Sequence, residues 1–241
     1  MATKVEEIIG QLQGSTYSFS TTLLSNKSIP VELKPITVKE QKILIVNGDT
    51  ESYQDQVKAL ITLLKSCIKS SPCSVEDLTV QDFIWLILKL RIHSQGSSLS
   101  INVNCENCQN KTLNYPLDLN KHLVINYLEG LKNNQIKLDD EITAFLCLPK
   151  IKTLTKMSNS DTAIDLLASE IDYIEYKGEI VELTDKEKLT FLESMDTKFI
   201  KDFEAFDSAN KFGVKLAFPF KCDKCNHEKT IEIEDNILSF F

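Results

Sequence analysis

Two short stretches constrain this chain more than any other feature. Residues 103–113 read VNCENCQNKTL, and residues 220–231 read FKCDKCNHEKTI. Each holds a C-x-x-C pair, a few polar residues, then Lys-Thr and an aliphatic residue. The flanks share a rhythm as well. Leu99, Ile101 and Val103 alternate with polar residues before the first pair, and Leu113, Tyr115, Leu117 and Leu119 alternate after it. Val214, Leu216, Phe218 and Phe220 alternate before the second pair, and Ile231 and Ile233 after it. Alternation of period two is the mark of a half-buried strand. Each cysteine pair is therefore predicted to sit in the turn of a β-hairpin.

A hairpin tip that carries C-x-x-C supplies two thiolates from one tight turn, and a second such hairpin completes a tetrahedron. That is the donor set of structural zinc. Cys105, Cys108, Cys222 and Cys225 are the expected ligands of one Zn2+ in a zinc ribbon, with turn amides donating to the sulfurs. A closed four-thiolate shell leaves no position for water or substrate, so such a metal is structural. Other chemistries compete. A redox C-x-x-C usually opens a helix, whose dipole lowers the thiol pKa, whereas here a strand follows. Two disulfides need an oxidising compartment. Three cysteines with His227, or an iron–sulfur cluster on the same four thiolates, remain geometrically open. Closing a loop over residues 109–221 costs about 4.7 kcal/mol in chain entropy. A structural zinc site contributes roughly 10–16 kcal/mol. The intervening residues can then form a folded module gripped at its root.

The seven cysteines are an odd number and cannot all pair within the chain. Cys67 and Cys147 lie in apolar runs and read as core residues, while Cys73 has no obvious partner. No apolar run reaches the length of about 18 residues that marks a membrane span. The opening MATKVEEIIGQLQ has early acids and no apolar signal region. The expected compartment is a reducing cytoplasm. The net charge of −8 is uneven, because residues 126–212 hold eleven basic and eighteen acidic side chains. An acidic segment repels phosphate backbones and argues against nucleic acid as the main partner.

The expected fold class is α+β: a helical N-terminal region and a two-hairpin ribbon interrupted by a large, mostly helical acidic insertion. The boundaries are an arm over 1–29, the helical region over 30–98, the first hairpin over 99–125, the insertion over 126–212, and the second hairpin with its tail over 213–241. Thr37-Val38-Lys39-Glu40 is a capping box for a short helix that carries Ile43 and Leu44 and stops near Asn47-Gly48. Tyr53, Val57, Leu60, Ile61, Leu64 and Ile68 form one helical stripe, ended by Pro72. Thr79 opens a buried helix that Gly96 closes. In the insertion, Ile142 to Leu148 reads as a strand and residues 160–174 as a helix. Tyr176 to Val181 reads as a small hairpin, and Thr184 to Glu187 as a second capping box. Phe199, Ile200, Phe203 and Phe206 form a further stripe. Nothing points to catalysis. His93, His122 and His227 are scattered, and no phosphate loop, G-x-S-x-G or H-E-x-x-H occurs.

Several blocks carry a resemblance. LKPITVKEQKILIV (33–46) resembles the "R-P-F-x-V-K-E-E-K-x-L-L" block of the baseplate hub proteins of T4-like contractile-tailed bacteriophages, with Lys34 and Ile36 where that block has Arg and Phe. The order that follows is also similar. A helix ends in Cys67-Ile68, and a "D-x-x-x-L-x-L-K-L-R-x-x-S-x-G" block runs from Asp82 to Gly96. Then come the first C-x-x-C and a late C-x-x-C in a chain that ends Phe240-Phe241. The resemblance implies a structural or assembly protein of the baseplate hub and not an enzyme. It would act in an oligomeric assembly with other baseplate or tail-hub proteins, in the virion tail or in host cytoplasm during assembly. Lys34, Lys39, Glu40 and Lys42 would then offer charge to a hub neighbour, with Phe240-Phe241 as an apolar anchor. The alternative is a zinc-ribbon module for nucleic acid or transcription machinery. Lys111, Lys221, Lys224 and Lys229 favour it, but Glu106, Asp223 and Glu228 dilute that patch.

Overall fold

The structure, a computed structural model, describes residues 3–8, 17–48, 53–156 and 163–233. Three hydrophobic cores organise it. The first is built by strands β1 (Phe19–Thr22), β2 (Pro30–Leu33) and β3 (Ile68–Ser70), paired antiparallel in that order, with helices α1 (Val38–Gly48), α2 (Tyr53–Cys67) and α3 (Val80–Gln95). The region expected to be helical thus holds a small sheet. The supposed arm contributes to it: Leu23 and Leu24 are buried in this core.

α3 is buried nearly all round, with Leu86, Ile87, Leu88 and Leu90 fully enclosed. The Thr79 hydroxyl caps it by accepting from the Asp82 amide at 3.1 Å, and Gly96 ends it at φ 87°. α2 stops sooner than its stripe implies. Ile68 leaves the helix and pairs with Leu33, because the open edge of β2 offers its backbone a ladder.

The second core is the two-hairpin unit. β4 (Ser98–Asn104) pairs with β5 (Lys111–Asp118). A one-turn helix α4 (Leu119–His122) leads to β6 (Leu123–Asn126), which pairs with β11 (Gly213–Lys221), and β11 pairs with β12 (Glu228–Ile233). One expectation fails here. Leu113 is 60% exposed rather than inward beside Tyr115. A register shift between Ile101 and Val103 and a positive φ at Asn114 insert an extra residue, which turns Leu113 to the other face.

The insertion forms the third core and is a mixed module. β7 (Gln135–Lys137), β8 (Ile142–Leu146), β9 (Ile171–Tyr176) and β10 (Glu179–Glu182) make an antiparallel sheet in the order β10-β9-β8-β7. Helix α5 (Ile151–Lys156) packs Ile151 and Leu154 on the first core, while α6 (Ala163–Glu170), α7 (Asp185–Glu193) and α8 (Ile200–Ala209) accompany the sheet. Ile171 and Ile174, read as helical, sit in β9, where β-branched and aromatic residues suit a pleated surface. Phe203 and Phe206 of α8 are fully buried, and Thr184 forms its capping box with Glu187.

The root of the insertion is closed by backbone. β6 and β11 run antiparallel with Gly213 opposite Asn126, so the two ends of the module leave from adjacent strands. The buried Asn210 side chain accepts from the Lys132 amide at 2.8 Å and donates to the Lys132 carbonyl at 2.7 Å. Val80 N–H donates to Pro149 O and Ile151 N–H to Leu78 O, which ties the module to the first core.

Candidate metal centre

The two hairpin tips are local copies of one another. Cys105 N–H donates to Asn110 O and Gln109 N–H to Cys105 O, each at 2.9 Å. In the second tip Cys222 N–H donates to His227 O and Asn226 N–H to Cys222 O, again at 2.9 Å. Gln109 and Asn226, each the residue after the second cysteine of its pair, take φ of 56° and 55°. That left-handed step lets the chain turn back under its own thiols. The sequence spacing identifies the cysteines but gives no sign of these two residues, where glycine would have been the usual signal.

β4–β5 and β11–β12 then bring the tips together. The Sγ atoms of Cys105, Cys108, Cys222 and Cys225 all lie within 4.8 Å of one another. Cys105 to Cys225 and Cys108 to Cys222 are each 3.6 Å apart. All seven cysteines are free thiols. A tetrahedron with metal–sulfur bonds of about 2.3 Å has an edge of roughly 3.8 Å, so the thiols are spaced for one ion. Cys105 and Cys222 are fully buried, while Cys108 and Cys225 are half-buried. Among the described residues, no histidine belongs to the cluster.

The electrostatics match this donor set. The His227 amide, followed by the Asn107 side chain, holds the Cys225 thiol at about 6. The Asn110 amide pulls the Cys108 thiol down, but burial and the three neighbouring sulfurs outweigh it and push the thiol up to about 12. Four thiols this close cannot all ionise without a cation among them. The four residues therefore fit a thiophilic divalent ion by number, spacing and amide support.

Contacts between the hairpins stiffen the frame. Tyr115 donates its hydroxyl to Pro219 O at 2.8 Å and packs its ring 5.6 Å from both Phe218 and Phe220. Lys229 of one tip is ion-paired with Glu106 of the other. His227 sits in the second tip and contributes its backbone, and the other two histidines lie elsewhere. His93 stacks on Phe19 at 3.7 Å, and His122 stands edge-on to Phe218 at 6.3 Å.

The cysteines sit at the far end of β11 from the insertion. Cys222 follows Lys221, whereas the module leaves at Gly213, roughly 30 Å away along an extended strand. The centre thus joins the hairpin tips and does not grip the insertion's root, which the β6–β11 ladder closes.

This is a small all-thiol frame between two hairpins, with no helix long and apolar enough to cross a membrane among the described residues. The family model described as "T4 bacteriophage base plate protein" matches residues 15–241, and the chain belongs to that family of phage baseplate proteins. No curated protein and no solved structure matches it.

The family-like block from Asp82 to Gly96 has a structural use for nearly every residue. Asp82 accepts from the Leu24 amide at 2.6 Å and the Ser25 amide at 3.0 Å. Arg91 donates to Gly96 O at 2.7 Å and Ser98 O at 3.2 Å. The Ser94 hydroxyl accepts from the Ile36 amide at 2.8 Å and donates to Leu90 O at 2.6 Å. This block fastens β1 and α1 to α3 and turns the chain into the first hairpin.

Proposed function

We propose that this chain is a structural or assembly component of the baseplate hub of a contractile phage tail, with one structural Zn2+ held by Cys105, Cys108, Cys222 and Cys225. The observation that carries the reading is the family match over residues 15–241. The site supports it, because a closed thiolate shell rigidifies a scaffold and offers no open coordination position for catalysis. Its partners are other baseplate or tail-hub proteins, in the virion tail or in host cytoplasm during assembly, and it acts within an oligomeric assembly.

Nucleic acid is a poorer partner for the ribbon. Its lysines are largely neutralised within the hairpins: Lys221 pairs with Glu228 at 2.7 Å, Lys215 with Glu232 at 2.9 Å, and Lys229 with Glu106. A phosphate backbone needs free cations.

The test has two arms. Elemental analysis of purified protein is expected to give about one zinc per chain, lost in a Cys222→Ser variant. Metal-free protein with seven titratable thiols would remove the zinc. Co-expression with tail-hub proteins is expected to yield a stable complex, and failure of every hub protein to co-purify would remove the hub assignment.

A further inference from the structure

The insertion's sheet ends on an open strand. β10 lies at the edge of the sheet with β9 as its ladder partner, and Glu179, Ile180, Val181 and Glu182 are all exposed. Ile180 is 68% exposed, and Tyr176 and Val181 beside it are exposed as well. The hairpin turn has positive φ at Lys177 and Gly178, the form that matches strand twist. It makes Tyr176 and Glu179 the first bonded pair, with Ile180 opposite Glu175 next. Alternation in an antiparallel ladder then aims the N–H and C=O groups of Ile180 and Glu182 away from β9.

The charges decide what can add to this edge. Outward-facing residues pair only with outward-facing residues, so antiparallel pairing with a second copy would set Glu182 opposite Gly178, Ile180 or Glu182 itself, none of them a cation, and like charges directly opposite are destabilising. Neither Glu179 nor Glu182 forms an ion pair among the described residues, and the adjacent Lys177 is paired with Glu141 at 3.4 Å. Edge acids also protect against aggregation. That role accounts for the glutamates but not for the apolar pair between them. Glu182, Tyr173 and Phe145 share one cross-strand row, and the two rings stack at 4.5 Å, which extends the apolar surface onto the sheet face. β6 also exposes Val124 and Ile125, but nothing beside it selects an occupant.

We propose that β10 accepts an added strand from a basic partner chain, with Lys or Arg opposite Glu179 and Glu182 and two apolar residues between them. Backbone hydrogen bonds supply the docking, and the acids supply the selection. That the strand comes from a baseplate neighbour rests on the assembly reading; the edge itself does not.

The test is a titration of isotope-labelled protein with the peptide Thr-Lys-Val-Val-Lys-Thr and with its counterpart in which both lysines are glutamate. The lysine peptide is expected to shift the amide signals of Ile180 and Glu182 and slow their exchange, with at least tenfold preference over the glutamate peptide. Ile180→Pro removes an outward N–H, a place where an edge strand tolerates proline, and is expected to abolish the response. Glu179→Lys with Glu182→Lys is expected to invert the peptide preference. No response to the lysine peptide at millimolar concentration, equal responses to both peptides, or pairing of β10 with a second copy would overturn the proposal. Failure here with hub co-purification intact removes the edge alone. A positive titration without co-purification keeps the edge and removes the baseplate donor.

Discussion

Glu40 shows how the chain uses for itself a charge that the family resemblance assigns to a partner. It is buried, takes the Lys34 ammonium at 2.8 Å and accepts from the Thr37 amide at 3.0 Å. Lys34 and Glu40 therefore serve the chain's own fold, while Lys39 and Lys42 stay exposed. Burial alone would raise the Glu40 carboxyl. The hydrogen bonds from Lys34 and Thr37 outweigh it and hold the group at about 2, below its ordinary 4.5. A depressed carboxylate stabilises the fold above its unfolded pKa, and that contribution disappears as pH falls through the folded value. Glu40→Gln is expected to cost about 1–3 kcal/mol at pH 7. In urea denaturation the gap between variant and parent should close as pH drops from 4.5 towards 2. A gap independent of pH would mean that the ion pair contributes nothing. The Thr37–Glu40 contact was legible because the two residues stand three apart, although the Thr37 hydroxyl donates to the Glu40 carboxylate and does not accept from its amide. Lys34 was not, since its approach depends on how β2 runs into α1. The anchoring role expected of Phe240-Phe241 lies outside the described residues.

Elements were read best where one periodicity ran without interruption. α3, the β11 stripe and the Thr184 capping box follow their patterns. The misreadings share a physical cause: a tertiary ladder captured residues whose local rhythm continued. Ile68 went to β2, Ile171 and Ile174 went to β8, and the Asn114 bulge reversed Leu113. Gly213 marks a junction of the same kind. It has φ 127°, and a Cβ there would run into the Gln81 side chain. Gly130 has a similar φ of 117° with open space around it. Gly213→Ala is expected to destabilise by about 1–3 kcal/mol. Gly130→Ala should cost less, since it bears backbone strain alone. Thermal melting of the two variants separates the terms, and equal losses would show that the close approach of α3 to β11 is inconsequential.

Across the whole molecule, the clustering of the four cysteines was legible because the two C-x-x-C hairpins repeat one another in the sequence. What lay between them was not, because strands of three to six residues in the insertion carry little pattern of their own. The long separation of the two C-x-x-C pairs suggested that metal holds the insertion in place. The geometry divides that task. The thiols join the tips of β4–β5 and β11–β12, while β6–β11, the Asn210 clamp on Lys132 and the Pro149–Ile151 bonds hold the module. Local stability should divide the same way. Stripping the metal with a chelator is expected to raise amide exchange over residues 103–113 and 220–231 by at least tenfold. Exchange in the insertion core around Ile136, Ala144 and Phe206 should change less than twofold, because its own apolar burial maintains it. Exchange mass spectrometry with and without chelator reads both regions at once. If the insertion core opens together with the tips, the metal holds the module after all, and the β6–β11 ladder is too weak to close its root.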